Sequence, residues 1–118
     1  MDSRELDPAE LKRIPEQDVS LRDIRWLAAV DIDRTSLEER WGRPETVRDS
    51  LAEWVCFAFS PAEGEAFFLQ REVDNPPTPQ FFLSVTRGLF SAKAAEQIVE
   101  VLGNAGARVT QLNDEASQ

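Results

Sequence analysis

Three stretches of alternating hydrophobic and polar residues dominate the middle of the chain. In 51–59, Leu51, Val55, Phe57 and Phe59 fall on one side, with Glu53 as the polar exception. In 65–73 the same side carries Phe67, Leu69 and Val73, and in 80–87 it carries Phe81, Leu83 and Val85. A period of two is the signature of a strand with one face buried. Ser60-Pro61-Ala62-Glu63-Gly64 reads as a hairpin connection between the first two strands. Asp74-Asn75-Pro76-Pro77-Thr78-Pro79 is a longer turn, whose prolines cannot donate to a ladder. The pattern predicts an antiparallel meander.

Helical signals flank it. Ser91 is suited to cap a helix over 92–102, in which Ala94, Ala95, Ile98, Val101 and Leu102 make one apolar stripe and Gly103 supplies the stop. Thr35 and Glu38 have capping-box spacing, and Gly42 followed by Pro44 ends a short helix over 36–41 that places Leu37 and Trp41 on one face. Residues 21–32 fit helical and strand periodicity alike; the helix start that follows at once favours a strand over 25–31. A last strand is expected over 107–112. Residues 1–20 form a polar arm with one short helix signal, Asp7-Pro8 with Glu10 three positions on, and 114–118 form a polar tail. The remainder, 21–113, is expected to be one α+β domain, with the C-terminal helix packed across the aliphatic face of the sheet.

Length and composition agree with that expectation. A chain of 118 residues hides roughly two thirds of its extended surface on folding, enough for a core without disulfides or metals. Its 22 acidic and 13 basic side chains give a net charge of −9, and no histidine is present, so no His-based triad, shuttle or metal site can form. Two lysines and eleven arginines scattered among acids do not make a nucleic-acid surface. Cys56 stands alone inside an apolar run, as a small hydrophobe in a reducing compartment would. With no signal-like leader and no apolar stretch approaching the roughly 20 residues of a membrane span, the expectation is a cytoplasmic protein needing neither membrane nor cofactor.

The opposite side of the meander is less polar than a solvated face. It carries Trp54, Cys56 and Ala58, then Phe68, then Phe82. Two readings are open: the N-terminal segment, with Trp26, Leu27 or Trp41, covers this side, or Trp54, Phe68 and Phe82 form an interface for a partner or a second copy in a homodimer.

Candidate chemistry is sparse. Asp31-Ile32-Asp33-Arg34-Thr35, fed by the apolar run 26–30, resembles the nucleophile motif of haloacid-dehalogenase-type phosphohydrolases. That resemblance implies Asp31 as nucleophile and Asp33 as acid/base, with Mg²⁺ on the phosphate. The competing reading gives Asp33 and Thr35 to a helix start and Asp31 to a strand end, and an antiparallel meander is not that family's parallel sheet. Glu38-Glu39 and Glu96 with Glu100 read as solvated helix faces, and the glycines form no phosphate cradle. The run Leu37-Glu38-Glu39-Arg40-Trp41-Gly42-Arg43-Pro44 before a Trp-bearing strand resembles small bacterial toxin-immunity proteins. The resemblance implies a non-enzymatic protein that neutralises its target by binding. The acidic balance then suggests a basic protein partner, with Glu38, Glu39, Glu63, Glu65, Glu72 and Asp74 as candidate contacts.

Overall fold

Strand-forming alternation carries the chain through one antiparallel sheet. The computed structural model describes residues 6–20, 23–48, 50–73, 80–103 and 106–117, the side chains of residues 20 and 117 apart. In chain order the elements are β1 (Lys12–Ile14), α1 (Glu16–Ser20), β2 (Ile24–Asp31), α2 (Arg34–Trp41), β3 (Glu45–Arg48), β4 (Glu53–Ala62), β5 (Glu65–Glu72), β6 (Gln80–Thr86), α3 (Ala92–Val101) and β7 (Arg108–Leu112). Short 3₁₀ turns cover Pro8–Glu10, Arg87–Leu89 and Asp114–Ser117. The sheet runs β1-β4-β5-β6-β2-β7, and β3 shares with β1 the outer edge of β4. Every pairing is antiparallel. The expected α+β architecture with a central meander and a C-terminal helix is the one observed.

The meander's aliphatic side is the core. Phe57, Phe59, Phe67, Phe81, Leu69, Leu83 and Val85 are buried there with Leu27, Val30, Leu37, Ala95, Ile98 and Leu102. Burial of each large side chain contributes about 1.5–3 kcal/mol. Two helices close this face. Ser91 caps α3 by accepting from Ala94 N at 3.0 Å. Gly103, at φ 67°, ends it where a side chain would be strained, and leaves room for the Arg40 guanidinium against the helix C-terminus. Trp41 of α2 packs edge-on to Phe59 at 5.4 Å and donates its Nε1–H to the Leu102 carbonyl at 3.2 Å. Arg13 of β1 lies over the Phe57 and Phe59 rings and donates to the carbonyls of Trp41 and Arg43, both at 2.8 Å.

Several element boundaries differ from expectation, each for a local reason. Leu51 is 91% exposed and Val73 43% exposed, so both lie beyond the strands they were expected to join. β4 instead continues through Ser60-Pro61 by a bulge, where a proline costs no ladder donor, and the turn shrinks to Glu63-Gly64. Ser60 Oγ, which donates to the carbonyls of Ala62 and Glu65, holds that bulge. α2 starts earlier than Thr35, because Asp33 is its cap and accepts from Ser36 N at 2.9 Å. Glu38 consequently pairs with Arg34 at 2.7 Å rather than folding back on Thr35. α3 ends at Val101. The expected turn 74–79 lies outside the described residues.

The terminal segments join the fold. Asp7 caps the first 3₁₀ turn, Leu11 is buried in the core, β1 completes the edge of β4, and Ala116 of the C-terminal turn is buried. Trp41 and Leu27, candidates to cover the opposite face, both belong to the core instead. The helical register of α2 turns Trp41 toward Phe59, and a bulge between Trp26 and Ala28 breaks the alternation at Leu27.

The two indoles on opposite faces make a direct comparison. Trp26 Nε1 is buried with no hydrogen-bond partner among the described residues, whereas Trp41 Nε1 has one. Trp41→Phe should therefore lower stability by about 1 kcal/mol or more, while Trp26→Phe should leave it unchanged or raise it. Urea unfolding of both variants checks this, and equal losses would contradict it.

Candidate functional site

Directly paired residues of an antiparallel sheet share a face, so the register sorts the side chains. The core face receives Arg13, Arg25, Arg48 and Arg71 from the strands. Three of these lie over rings: Arg13 over Phe57 and Phe59, Arg25 over Phe90, Arg71 over Phe81. The opposite face receives Glu45, Val47, Trp54, Cys56, Phe68, Gln70, Glu72, Phe82, Ser84, Trp26 and Asp31. Lys12 and Arg108 are the basic residues it gains from the described strands, at its two edges, and Arg108 faces Asp31 at 3.7 Å. With Glu53 and Glu65 also on the core face, the strands direct four arginines and two acids there, and the opposite face has the larger share of acid at β3 and at the far end of β5.

Among the described residues, α1 covers part of this second face. α1 lays Val19 on Ala58 and Ala66, with Ile14, Ile24 and Phe68 around them. Glu45 positions that helix by accepting from Glu16 N at 2.6 Å. Beyond α1, Trp54 and Phe68 are half-buried and Phe82, on the central strand β6, is 41% exposed. A cavity of about 130 Å³ opens here, lined by Glu16, Val47, Trp54, Cys56 and Gln70. A site of that size takes a group no larger than one ring or side-chain head. Cys56 in its wall is 1% exposed; burial, together with the charges of Glu16 and Glu45, pushes its thiol up to about 12. A thiol so disposed is not a nucleophile at neutral pH.

The acidic residues singled out from the sequence are not brought into one patch. Glu63 is exposed at the β4–β5 turn, and Glu39 is exposed on α2, whose Glu38 is ion-paired with Arg34. Glu65 and Glu72 end β5 on opposite faces, about 23 Å apart at strand rise. Glu65 Oε1 accepts from Thr86 Oγ1 at 2.7 Å, and its carboxylate occupies the space a side chain at Gly88 would need. Asp74 lies outside the described residues. Sequence reading misses Glu16, and it counts Glu45 only as one of the acids crowding the region before the meander: the pairing of β3 with β4 sets Glu45 beside Cys56, and Glu16 N, donating to Glu45, brings the start of α1 to the cavity.

Asp31 and Asp33 have structural occupations. Asp31 ends β2 opposite Gln80, and Asp33 caps α2, also accepting from Ser36 Oγ at 2.7 Å. Those hydrogen bonds hold the Asp33 carboxyl below its ordinary range. No group of three His, Cys, Asp or Glu side chains is placed to hold a metal ion among the described residues, and no described helix is long and apolar enough to cross a membrane. A larger cavity, about 300 Å³, lies between Leu6, Pro61, Glu65, Leu89 and the first turn of α3. Comparison with family models, curated proteins and solved structures finds no match to the chain.

Two measurements follow from this chemistry. At pH 8, four units below its pKa, only about one Cys56 in ten thousand is a thiolate, and it is buried. Iodoacetamide should therefore leave the native protein unlabelled under conditions that alkylate the urea-unfolded chain fully. Labelling of native protein at the rate of a free thiol would overturn this assignment. Asp33 has a depressed folded pKa, so its stabilisation is present above the unfolded carboxylate range and is lost as pH falls below about 4. Asp33→Ala should lower Tm at pH 7 and lose that difference toward pH 3, while Asp33→Asn, still a cap, should resemble wild type at pH 7.

Proposed function

We propose that this protein is a small acidic binding protein that acts by non-catalytic complex formation with a basic protein, in the manner of a bacterial cytoplasmic immunity protein. The observation that carries the reading is the disposition of charge. Arg13, Arg25, Arg40 and Arg71 lie over aromatic rings, and Arg34, Arg48, Arg87 and Arg108 are ion-paired. Carboxylates dominate what is left in a chain of net charge −9. Such a surface raises the encounter rate with a basic partner and repels nucleic acid. Glu38, Glu39, Glu63, Glu65, Glu72 and Asp74 are the steering groups in this reading, acting at a distance rather than as one contact patch. No cofactor has a part in it.

A second reading is favoured by one specific observation, the 41% exposure of Phe82 on a central strand. Trp54, Phe68 and Phe82 would then join two copies of the chain in a homodimer. The phosphohydrolase alternative at Asp31 and Asp33 gains no support from an antiparallel frame in which Asp33 is a helix cap.

The first reading predicts that tagged protein captures one basic protein in near-stoichiometric amount from a native lysate at low salt, and loses it as salt rises. Recovery of the bait alone at low salt contradicts it. Light scattering addresses the second reading: a monomer at all concentrations counts against the dimer, and a dimer dispersed by Phe82→Glu counts for it.

A further inference from the structure

The open part of the second face combines three features that are separate in the sequence. It is aromatic, through Trp54, Phe68 and Phe82; it is concave, through the cavity beside Trp54; and of its carboxylates Glu16, Glu45 and Glu72, Glu45 also feels the charge of Arg13 of β1, while β3, β4, β5 and β6 direct no Lys or Arg to that face. A second copy of the chain is a poor occupant, because a twofold contact would set those carboxylates against their own symmetry mates, and unpaired like charges oppose association. An uncharged apolar partner would strip water from the same carboxylates without return. A cationic partner meets both requirements. The alkyl stem of an Arg or Lys covers aromatic surface while its charge faces the ring and the carboxylates, and Trp is the strongest ring for that contact.

We infer that the open side of the sheet, between α1, β3 and β6, is the docking surface for a basic segment of the protein partner, one Arg or Lys side chain of which enters the cavity lined by Glu16, Val47, Trp54 and Gln70. The inference rests on the binding-protein reading above and gives it a location. It divides the acids into two classes: Glu16, Glu45 and Glu72 touch the partner, and Glu38, Glu39 and Glu63 act only through the long-range field. Glu45 also holds α1 through Glu16 N, so the wall of the cavity and the carboxylates that recognise the cation are set by one contact. A guanidinium seated there would further oppose the negative field around Cys56, to which Arg13 is already opposed.

The test uses the full chain and a fluorescein-labelled nona-arginine peptide, read by anisotropy at low and at physiological salt, with circular dichroism confirming that each variant is folded. Glu16→Gln with Glu72→Gln should weaken binding about fivefold or more, and Glu39→Gln with Glu63→Gln, the same change in net charge, by about twofold or less. Phe82→Ser, which changes no charge, should weaken binding about twofold to fivefold. Equal losses in the two charge pairs, with Phe82→Ser unaffected, overturn the location while the acidic-binding reading stands. No binding of the peptide by wild type even at low salt overturns both. A dimer in sedimentation that Phe82→Glu converts to monomer assigns the face to a second copy and overturns the inference.

Discussion

The constraint from which the rest follows is that a sheet has two faces and this chain has helix enough for one. Six strand positions make a sheet about 24 Å wide. α3 with its 10 residues and α2 with 8 span about 15 and 12 Å, and together they cover the side bearing Phe57, Phe59, Phe67 and Phe81. The other side receives α1, whose 5 residues reach about 7 Å and seal only Ala58 and Ala66. Among the described residues, no further helix lies on that side beyond Val19. An exposed Phe82 in the middle of the sheet is the direct result.

Electrostatics follows the same division. On the helix-covered face three of the four arginines that the strands deliver lie over rings and Arg48 pairs with Glu53: Arg13 is clamped between two phenylalanine rings and the end of α2. Its half-burial lowers its pKa, which Glu45 and Cys56 oppose. On the open face the carboxylates have few such partners, Arg108 with Asp31 being one. Surface ion pairs of this kind contribute little to stability. The described arginines stay at the surface, several of them held over rings or in ion pairs, and in the proposed reading the excess of acid is what a partner meets.

The fold was legible where periodicity was strong and local. The meander, the strand of β2 and α3 with its Ser91 cap follow from alternation, stripe and capping chemistry, all of which act over a few residues. The misread boundaries share a cause. Leu51 and Val73 continue the alternation in sequence, yet both are exposed past the ends of β4 and β5, and a pattern carries no information about where its partner ends. At Ser60-Pro61 the bulge is set by a serine hydroxyl reaching across the hairpin, and β3 was invisible because Glu45–Arg48 owes its strand state to β4 rather than to its own composition. The candidate site was legible in part for the same reason. Trp54, Phe68 and Phe82 sit on one face by parity alone, but Glu16 and Glu45 come from segments 29 residues apart and meet through tertiary contact.

In the proposed reading a partner meets the second face of the sheet and not the helix-covered one. Three indole N–H groups report on it in a single ¹⁵N–¹H spectrum: Trp54 in the cavity wall, Trp26 on the same face, and Trp41 bound to the Leu102 carbonyl on the other. Titration with an arginine-rich peptide should move the Trp54 resonance progressively and leave Trp41 in place. Movement of Trp41 with Trp54 stationary would contradict the account.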